Sequence, residues 1–440
     1  MIVLIKTVQL ILSLSILVLI HEFGHFITAR WFKTKVEKFY LFFDPWFALF
    51  KFRKGETEYG VGWLPLGGYV KIAGMIDESM DKEQMKQPPQ PWEFRSKPAW
   101  QRLIIMLGGI IMNMILAIFI YSMILFAWGE EYIPNANLQY GIAVDSTAMH
   151  LGLQSGDHIL SVGGKPIEQY TDVFARVMFD GERIIEVERA GEKVDIKVED
   201  SSLKYILNAD KASFIEPRTL FFIDSLPENS PAGNAGIKAK DQLIALDSIP
   251  ALFWDQAVPY IVSHKGKTVA VTLLRSGDTL KLPVKISEDG TLGVYRVLPD
   301  KLYQSKKIAY GFWASIPAGW NKTWEKLADY VKQFRLIFNR KTEGYKHLGG
   351  FISIGKIMTP TWDWQSFWNI TAFLSLALAF MNLLPIPALD GGHVLFTLVE
   401  MITGRKPSDK FLEYAQVVGM VILLSLMVYA NGNDIIKLFK

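Results

Sequence analysis

The sequence predicts a multi-domain membrane protein with four transmembrane helices and, between the second and third of them, two tandem copies of a small α+β domain. Half of the 440 residues are hydrophobic, the mean hydropathy is +0.19, and only 21% are charged, which is too apolar for an ordinary soluble enzyme. Four stretches with few or no charges are long enough to cross a bilayer, which takes about 20 apolar residues. A segment that begins at Ser146 recurs at Ser230, and an internal repeat indicates duplicated domains.

The composition also excludes several classes of protein. The chain has no cysteine, so disulfide scaffolds, thiolate zinc fingers, iron–sulfur clusters and cysteine nucleophiles are excluded. Its formal net charge of +3 is too small to favour a nucleic-acid partner. Any metal ion must therefore be bound by His, Asp or Glu.

The apolar stretches predict transmembrane helices over residues 1–29, 103–128, 363–392 and 412–433. A cleavable signal peptide is the alternative for the first stretch. However, no Ala-x-Ala-like cleavage site follows it, and cleavage would discard the ionisable residues at its inner end. We therefore expect the first span to be retained.

The loops between the spans predict their orientation. The predicted cytoplasmic segment, residues 30–102, contains 13 lysines and arginines, and the loop before the fourth span contains Arg405, Lys406 and Lys410. The positive-inside rule places both on the cytoplasmic side. Residues 129–362 and both termini are then expected on the opposite side.

The repeat predicts two domains, over residues 129–215 and 216–300. The first copy contains Ser146, Gly152, Gly156 and Asp157, and the second contains Ser230, Gly236, Lys240 and Asp241. This pattern resembles the PDZ domains of bacterial proteases, although Lys240 stands where glycine is usual. PDZ domains bind extended peptides or chain ends by strand addition; the alternative is that both copies are only spacers or steric filters.

Residues 301–362 are predicted to form amphipathic helices at the outer membrane surface. Trp313, Trp320 and Trp324 are interspersed with lysine and arginine, which is typical of interfacial helices. The alternative is that this segment packs on the repeated domains as ordinary core.

The motif that carries chemistry lies at the inner end of the first span and reads His21-Glu22-Phe23-Gly24-His25. Residues four apart project from one face of a helix, so His21 and His25 can bind one Zn²⁺ ion. Glu22 is then placed to take a proton from water that the metal acidifies and to pass it to a leaving amine. Ionisable residues inside a span are costly and usually functional, so we predict a catalytic zinc site rather than a chance match.

Two histidines need a third ligand, and the topology indicates where it lies. The third span runs in the same direction as the first, so its inner end lies at a similar depth. There, prolines interrupt the helix before Asp390 and glycines follow it, which permits a tight turn. Asp390 is the predicted ligand. His393 is the competing candidate, and its alternative role is to support a ligand or cap a helix.

Together these motifs resemble the site-2 protease family of intramembrane zinc metalloproteases, among them the Gram-negative regulators of sigma E. The resemblance covers essentially the whole chain. It implies that His21, His25 and Asp390 hold zinc, with Glu22 as the catalytic acid and base. It also implies that Asn382 contacts the substrate backbone and, from a looser match of the second-span motif, that Asn113 contributes to substrate binding.

The family also has a membrane-dipping β-loop, which residues 58–74 match. A substrate helix must be unwound before cleavage, and unwound backbone in lipid needs new hydrogen-bond partners. An edge strand supplies them, so Gly67, Gly68 and Tyr69 are predicted to bind substrate. The alternative is a plain cytoplasmic hairpin.

The expected function is intramembrane proteolysis in the bacterial inner membrane, with both termini and the PDZ-like domains in the periplasm and the active site near the cytoplasmic face. By resemblance, the substrates are single-span membrane proteins trimmed beforehand by another protease, such as anti-sigma factors, and remnant signal peptides. Two rival functions remain. One is a membrane adaptor with a decayed metal site, and the other is an ion transporter, although no inverted repeat is visible.

Overall fold

Four long apolar helices dominate the computed structural model of this chain, which describes residues 1–65, 67–75, 87–208, 214–337 and 344–439. Parts of the predicted cytoplasmic segment (Leu66 and residues 76–86), of the first repeat (209–213) and of the amphipathic segment (338–343) therefore lie outside the described residues. The helices are α1 (Ile2–Trp31), α2 (Ala99–Ala127), α3 (Ser146–His150), α4 (Asp172–Met178), α5 (Leu203–Asn208), α6 (Pro231–Asn234), α7 (Trp254–Ser263), α8 (Pro299–Leu302), α9 (Phe312–Ile337), α10 (Phe351–Ile357), α11 (Trp364–Leu383), α12 (Asp390–Thr403) and α13 (Asp409–Leu438).

The strands form several small sheets. They are β1 (Val36–Leu41), β2 (Phe43–Lys54), β3 (Thr57–Leu64), β4 (Tyr69–Ile72), β5 (Glu130–Tyr132), β6 (Ile142–Val144), β7 (His158–Val162), β8 (Lys165–Pro166), β9 (Ile184–Arg189), β10 (Glu192–Lys197), β11 (Ile215–Pro217), β12 (Ile223–Ser225), β13 (Gln242–Leu246), β14 (Ile249–Pro250), β15 (Thr268–Arg275), β16 (Asp278–Lys285), β17 (Tyr295–Arg296) and β18 (Lys306–Ile308).

Helices α1, α2, α11 and α13 are long and apolar enough to cross a membrane. The third predicted span differs in detail, because α11 ends at Leu383 and a second helix, α12, begins at Asp390. Pro385 and Pro387 lie between them, and proline cannot continue a helix. Asp390 therefore lies at the start of α12 rather than within the third span.

Glycines allow α1 and α2 to cross at very short distance. A Cβ atom on Gly108 would lie 2.5 Å from the carbonyl oxygen of Gly24, and one on Gly24 would collide with the Gly108 carbonyl. Close backbone approach at small residues is how helices associate in a lipid environment, where apolar packing alone gives little driving force.

Buried polar contacts between the helices fix their positions relative to one another along the helix axes. Thr371 of α11 donates to the Ser13 hydroxyl of α1 at 3.1 Å, and Ser375 donates to the Asn113 carbonyl of α2 at 2.8 Å. Near the N-terminal end of α2, the Arg102 guanidinium donates to Glu400 of α12 at 2.5 Å. These contacts hold α1, α2, α11 and α12 in one register.

The last helix, α13, is held near its C-terminal end by a capping contact. Asp434 is buried, and its Oδ2 accepts the backbone N–H groups of Gly350 and Ser353, both at 2.9 Å. These amides open α10, whose first-turn N–H groups need an acceptor. The apolar surface of α13 is otherwise largely exposed.

The segment after α1 forms a four-stranded sheet in the order β2-β3-β1-β4. β1 pairs parallel with β3 and antiparallel with β4, so β4 is an edge strand. The other edge, β2, carries exposed aromatic side chains, of which Trp46 is 91% and Phe50 61% exposed.

The two sequence repeats fold alike. Read from corresponding edges, their sheets have the orders β8-β7-β9-β10 and β14-β13-β15-β16. Each copy has its own apolar core. An additional short strand follows each copy and pairs with its first strand: β11 with β6, and β17 with β12. The duplication predicted from the sequence is thus a duplication of strand order.

The same buried ion pair recurs in both copies. Arg189 Nε donates to Asp157 at 2.7 Å and its Nη2 to the Gly152 carbonyl at 2.9 Å. In the second copy, Arg275 contacts Asp241 at 2.7 Å and the Gly236 carbonyl at 2.8 Å. The arginine at the end of β9 or β15 thus connects that strand to the loop before β7 or β13, respectively.

The turn at Lys240 keeps the geometry that glycine has in the first copy. Its φ is +72°, and that of Gly156 is +100°. A non-glycine residue in this left-handed region is strained by about 1–2 kcal/mol. The lysine in place of the usual glycine therefore keeps the same turn conformation and does not change the fold.

The predicted amphipathic segment contains one long helix, α9, with strongly exposed Trp313 (80%). In its first part, Gly319 contacts Ser122 of α2, and Tyr330 stacks edge-on against Phe373 and Phe380 of α11. Its last turns pack differently, with Leu336 against the core of the first repeat. The segment is therefore partly exposed and partly ordinary packing.

The ion pair of the second repeat predicts acid sensitivity. Burial opposes ionisation of the Asp241 carboxyl, but hydrogen bonds from Arg275 and the Lys238 amide outweigh this and hold its pKa below the usual value. A carboxyl with a lowered folded-state pKa stabilises the fold above its unfolded pKa of about 4 and loses this effect as the pH falls.

We expect Asp241→Asn to destabilise the second repeat by about 2 kcal/mol at pH 7 and to remove part of its acid sensitivity. Hydrogen exchange of β13 and β15 in the full-length protein in detergent measures this. Asp278→Asn, at an exposed position of the same sheet, is the control. Equal exchange in the two variants would contradict the prediction.

Candidate metal centre

The two histidines of the sequence motif lie on one face of α1 and are buried, with exposures of 8% and 6%. Gly109 of α2 leaves room for both rings, since a Cβ atom there would lie 2.6 Å from His21 Cε1 and would overlap His25 Nε2. The helix crossing at Gly24 and Gly108 thus presses a glycine-lined face of α2 against the histidine pair.

Asp390, at the start of α12, completes a group of three. Its Oδ2 lies 3.2 Å from Nε2 of His21 and 3.2 Å from Nε2 of His25, and the two Nε2 atoms are 3.3 Å apart. Among the described residues, this is the group with metal-ligand character, and His393 is not part of it.

Hydrogen bonding shows which ring nitrogen of His25 is available to a metal. Nδ1 of His25 lies 2.9 Å from the Ile105 carbonyl, and a carbonyl only accepts hydrogen bonds. Nδ1 therefore carries the proton, and in the neutral ring Nε2 presents a lone pair. Within the part of the chain that the structure describes, Asp390 Oδ2 is buried without a hydrogen-bond partner. Two lone pairs facing each other in a buried site repel unless a proton or a metal ion lies between them, and two imidazoles with a carboxylate form a donor set that binds Zn²⁺.

The triangle of ligand atoms has the size that zinc requires. Zn–N and Zn–O bonds of about 2.0–2.1 Å give a tetrahedron with edges of about 3.3 Å, and the observed edges are 3.2, 3.2 and 3.3 Å. Three protein ligands leave the fourth position for water or substrate, as in catalytic rather than structural zinc sites.

Two asparagine side chains contact His21. The Asn113 side-chain amide lies 3.2 Å from Nδ1, and the Asn382 amide nitrogen lies 3.3 Å from Nε2. For Nε2 of His21 to bind a metal, Nδ1 must carry the proton, so the Asn113 amide accepts through Oδ1, which has no other partner among the described residues. Asn113 is completely buried, so it supports the ring of His21. The sequence had instead suggested a role in substrate binding. Asn382 lines the open side of the site, where a substrate could reach it.

A cavity of about 950 Å³ opens beside the ligand triangle. Residues on its wall include Glu22, Gly68, Tyr69, Asn382, Asp390 and Gln416. Gly68 is closely packed, because a Cβ atom there would lie 2.7 Å from the Tyr40 carbonyl oxygen and from Val18, and 3.5 Å from Glu22 Cγ. Glu22 and the beginning of edge strand β4 therefore face the same space.

The structure thus brings most of the sequence-predicted site residues to one cavity: His21, Glu22, His25, Gly67, Gly68, Tyr69, Asn382 and Asp390. Sequence reasoning missed Ile105, which acts through its backbone and leaves no signal in the sequence. It also missed Gln416, whose signal was a polar side chain inside an apolar span.

Two histidines and an aspartate arranged to bind one cation, with a glutamate beside them in a membrane-spanning helix, define the class of membrane-embedded metalloproteases. Comparison with known proteins agrees with this class. The sequence profile of peptidase family M50 matches residues 9–426. The chain therefore belongs to peptidase family M50, the site-2 protease family, and is a zinc metalloprotease.

Individual relatives match over nearly their whole length. The chain is 28% identical to the regulator of sigma-E protease RseP of Escherichia coli, with 97% of this chain and 98% of that protein covered. It is 27% identical to the regulator of sigma E protease of Haemophilus influenzae at the same coverage. A Vibrio cholerae protein that carries the name "Putative zinc metalloprotease" is 29% identical over 98% of both chains.

We expect Gly109→Ala to abolish stoichiometric zinc binding, because the added methyl group overlaps His25 Nε2 and His21 Cε1. Metal analysis of the purified protein measures this. Gly355→Ala is the control, since a Cβ atom at this helical position meets nothing within 4 Å. Normal zinc content in Gly109→Ala would show that α2 does not press on the histidines as described.

Proposed function

We propose that this protein is an intramembrane endopeptidase that cleaves the transmembrane segments of single-span membrane proteins already trimmed on the outer side of the membrane. Anti-sigma factors and remnant signal peptides are the substrates that the resemblance implies. One observation carries the proposal: the three ligand atoms and Glu22 lie at the same cavity, and Glu22 and both histidines belong to a helix long and apolar enough to span a membrane.

The residues divide the chemistry between them. His21, His25 and Asp390 would hold zinc, which when bound polarises a carbonyl group and makes water more acidic. Glu22 accepts a proton from the attacking water and delivers it to the departing amine. Asn113 and the Ile105 carbonyl orient the imidazoles. Loss of such a supporting contact typically lowers metal affinity by about 10–100-fold.

The cavity suits an extended substrate rather than a helical one. In a helix the scissile amide is enclosed by internal hydrogen bonds, so the segment must unwind, and in lipid its freed N–H and C=O groups need partners. Edge strand β4 offers them beside Glu22, and the close packing of Gly68 on Tyr40 and Val18 brings the start of this strand to the cavity wall. The substrate would thus bind by strand addition along Gly67, Gly68 and Tyr69.

The sheet that contains β4 is proposed to dip into the membrane. The exposed aromatic side chains of β2, among them Trp46 and Phe50, form an apolar edge that a cytoplasmic hairpin would leave in water. Exposed apolar patches of this kind are typical of membrane contacts. The proposed location is the bacterial inner membrane, with both termini and the two repeats in the periplasm and the metal centre near the cytoplasmic face.

The two repeats are proposed to be PDZ-like domains that control access to the cavity. They would admit trimmed stubs, exclude bulky ectodomains, and possess strand edges suited to peptides or chain ends. Their matching strand order and shared Asp–Arg ion pair support a common fold for the pair.

We expect Glu22→Gln to reduce cleavage of a transmembrane model peptide by about 10²–10⁴-fold, the usual contribution of a general acid–base group, while zinc content stays normal. Glu56→Gln, in the exposed turn between β2 and β3, is the matched control, and a chelator should abolish wild-type cleavage. If the protein were a membrane adaptor, Glu22→Gln would not change its activity. If it were an ion transporter, the purified protein need not contain stoichiometric zinc.

Deleting residues 130–300 tests the proposed gate. The deleted protein should cleave both an untrimmed substrate and its trimmed stub, whereas the full-length chain should cleave only the stub. The same deletion combined with Glu22→Gln controls for contaminating proteases. Unchanged discrimination between the two substrates would refute gating by the repeats and leave the proteolytic proposal intact.

A further inference from the structure

Gln416 is a buried polar residue in the charge-free stretch of helix α13 that follows Glu413. Its side chain is 5% exposed and lines the cavity that also contains Asn382 and Asp390. A polar side chain inside a membrane span is costly unless it is used. The position of Gln416 therefore calls for a partner in the cavity.

Helix α13 reaches the cavity through direct contact with the turn before Asp390. Gly419 packs against Pro387 so closely that a Cβ atom would collide with the Pro387 carbonyl group. One residue further along the turn, Ala388 has a φ of +77°, a conformation that costs a non-glycine residue about 1–2 kcal/mol. Its backbone N–H donates to Gln416 Oε1 at 3.2 Å.

This contact fixes the orientation of the Gln416 amide. A backbone N–H can only donate, so the atom facing Ala388 must be the oxygen. The amide nitrogen, with two donor hydrogens, is then the group left for the cavity. Among the described residues it makes no hydrogen bond, and Gln416 lines the open cavity, so this nitrogen is available to a bound molecule.

An unwound substrate supplies the acceptor that this nitrogen lacks. An extended backbone has hydrogen-bonding groups along both of its edges. Strand β4 can pair with only one edge, so carbonyl groups on the other edge need separate donors. Asn382 of α11 and Gln416 of α13 are amide side chains on the wall of the same cavity.

We propose that Gln416 is a substrate-binding residue whose Nε2 donates to a main-chain carbonyl of the unwound substrate, on the edge that β4 leaves unpaired. The contact of Oε1 with Ala388 holds the amide in the orientation needed. This inference rests on the proposed proteolytic function and adds the fourth span to the substrate site.

Two substitutions separate the substrate contact from a merely structural one. When its carboxyl group is ionised, the side chain of Gln416→Glu keeps an oxygen for the Ala388 N–H but has no donor, whereas Gln416→Leu loses both. Cleavage of a transmembrane model peptide in mixed micelles gives KM and kcat, and metal analysis gives zinc content. Gln365→Leu, at the outer end of α11 away from the cavity, is the control.

We expect both Gln416 variants to raise KM by about fivefold to tenfold, the effect of one net hydrogen bond, with zinc content normal and kcat changed much less. A structural role through Ala388 alone would be rescued by Gln416→Glu. A normal KM in Gln416→Glu, or loss of zinc from both variants, would overturn the inference.

Failure of this inference is distinguishable from failure of the proposed function. If the wild-type protein cleaves the peptide and Glu22→Gln does not, proteolysis stands whatever the Gln416 variants do. If the wild-type protein and Glu22→Gln are equally inactive with zinc bound, the proposed function itself fails.

Discussion

The metal centre depends on the close crossing of α1 and α2 at Gly24 and Gly108. The carbonyl groups of these two glycines occupy the space that any Cβ atom would need, so the helices can meet only where neither has a side chain. At that separation the Ile105 carbonyl reaches His25 Nδ1, and the Asn113 amide reaches His21 Nδ1. Both contacts orient imidazole rings, and ring orientation determines whether the Nε2 lone pairs converge.

The third ligand reaches this pair only because α11 stops before it. Prolines end the helix, and the turn through Ala388 places Asp390 at the start of α12, where a carboxylate also benefits from the helix dipole. Ser375 fixes α11 to α2 through the Asn113 carbonyl, and Arg102 fixes α12 to α2 through Glu400. The aspartate is therefore held from both sides of the turn, and the distances of 3.2 Å to both histidines follow from two separate interhelical contacts.

The sequence was sufficient for features that depend on local periodicity or on counting spans. Two histidines four residues apart share a helix face wherever the helix lies, and alternating orientation brings Asp390 to their depth. It was insufficient for contacts that depend on how each helix is rotated about its axis. Asn113 faces His21 rather than the cavity, and Gln416 faces the cavity rather than lipid, and hydropathy does not encode either rotation. The repeat was visible in loop residues, whereas its ion pair was not, since Arg189 and Arg275 fall at unequal offsets in their copies.

The geometry of the cavity also bears on which substrates can be cleaved. Each main-chain group that loses its helical partner within lipid costs several kcal/mol until it is paired again. In the proposed mode of binding, Gly68 and strand β4 would pair with one edge of an extended segment over a few residues, and side-chain amides would be the donors for the other edge. Only a short stretch can therefore be unwound at a tolerable cost in free energy. Sequences with weak helix propensity, such as those with glycine or β-branched residues, lose less helix stability when they unwind. Selectivity at the bond itself would then follow from the free energy of unwinding more than from recognition of particular side chains.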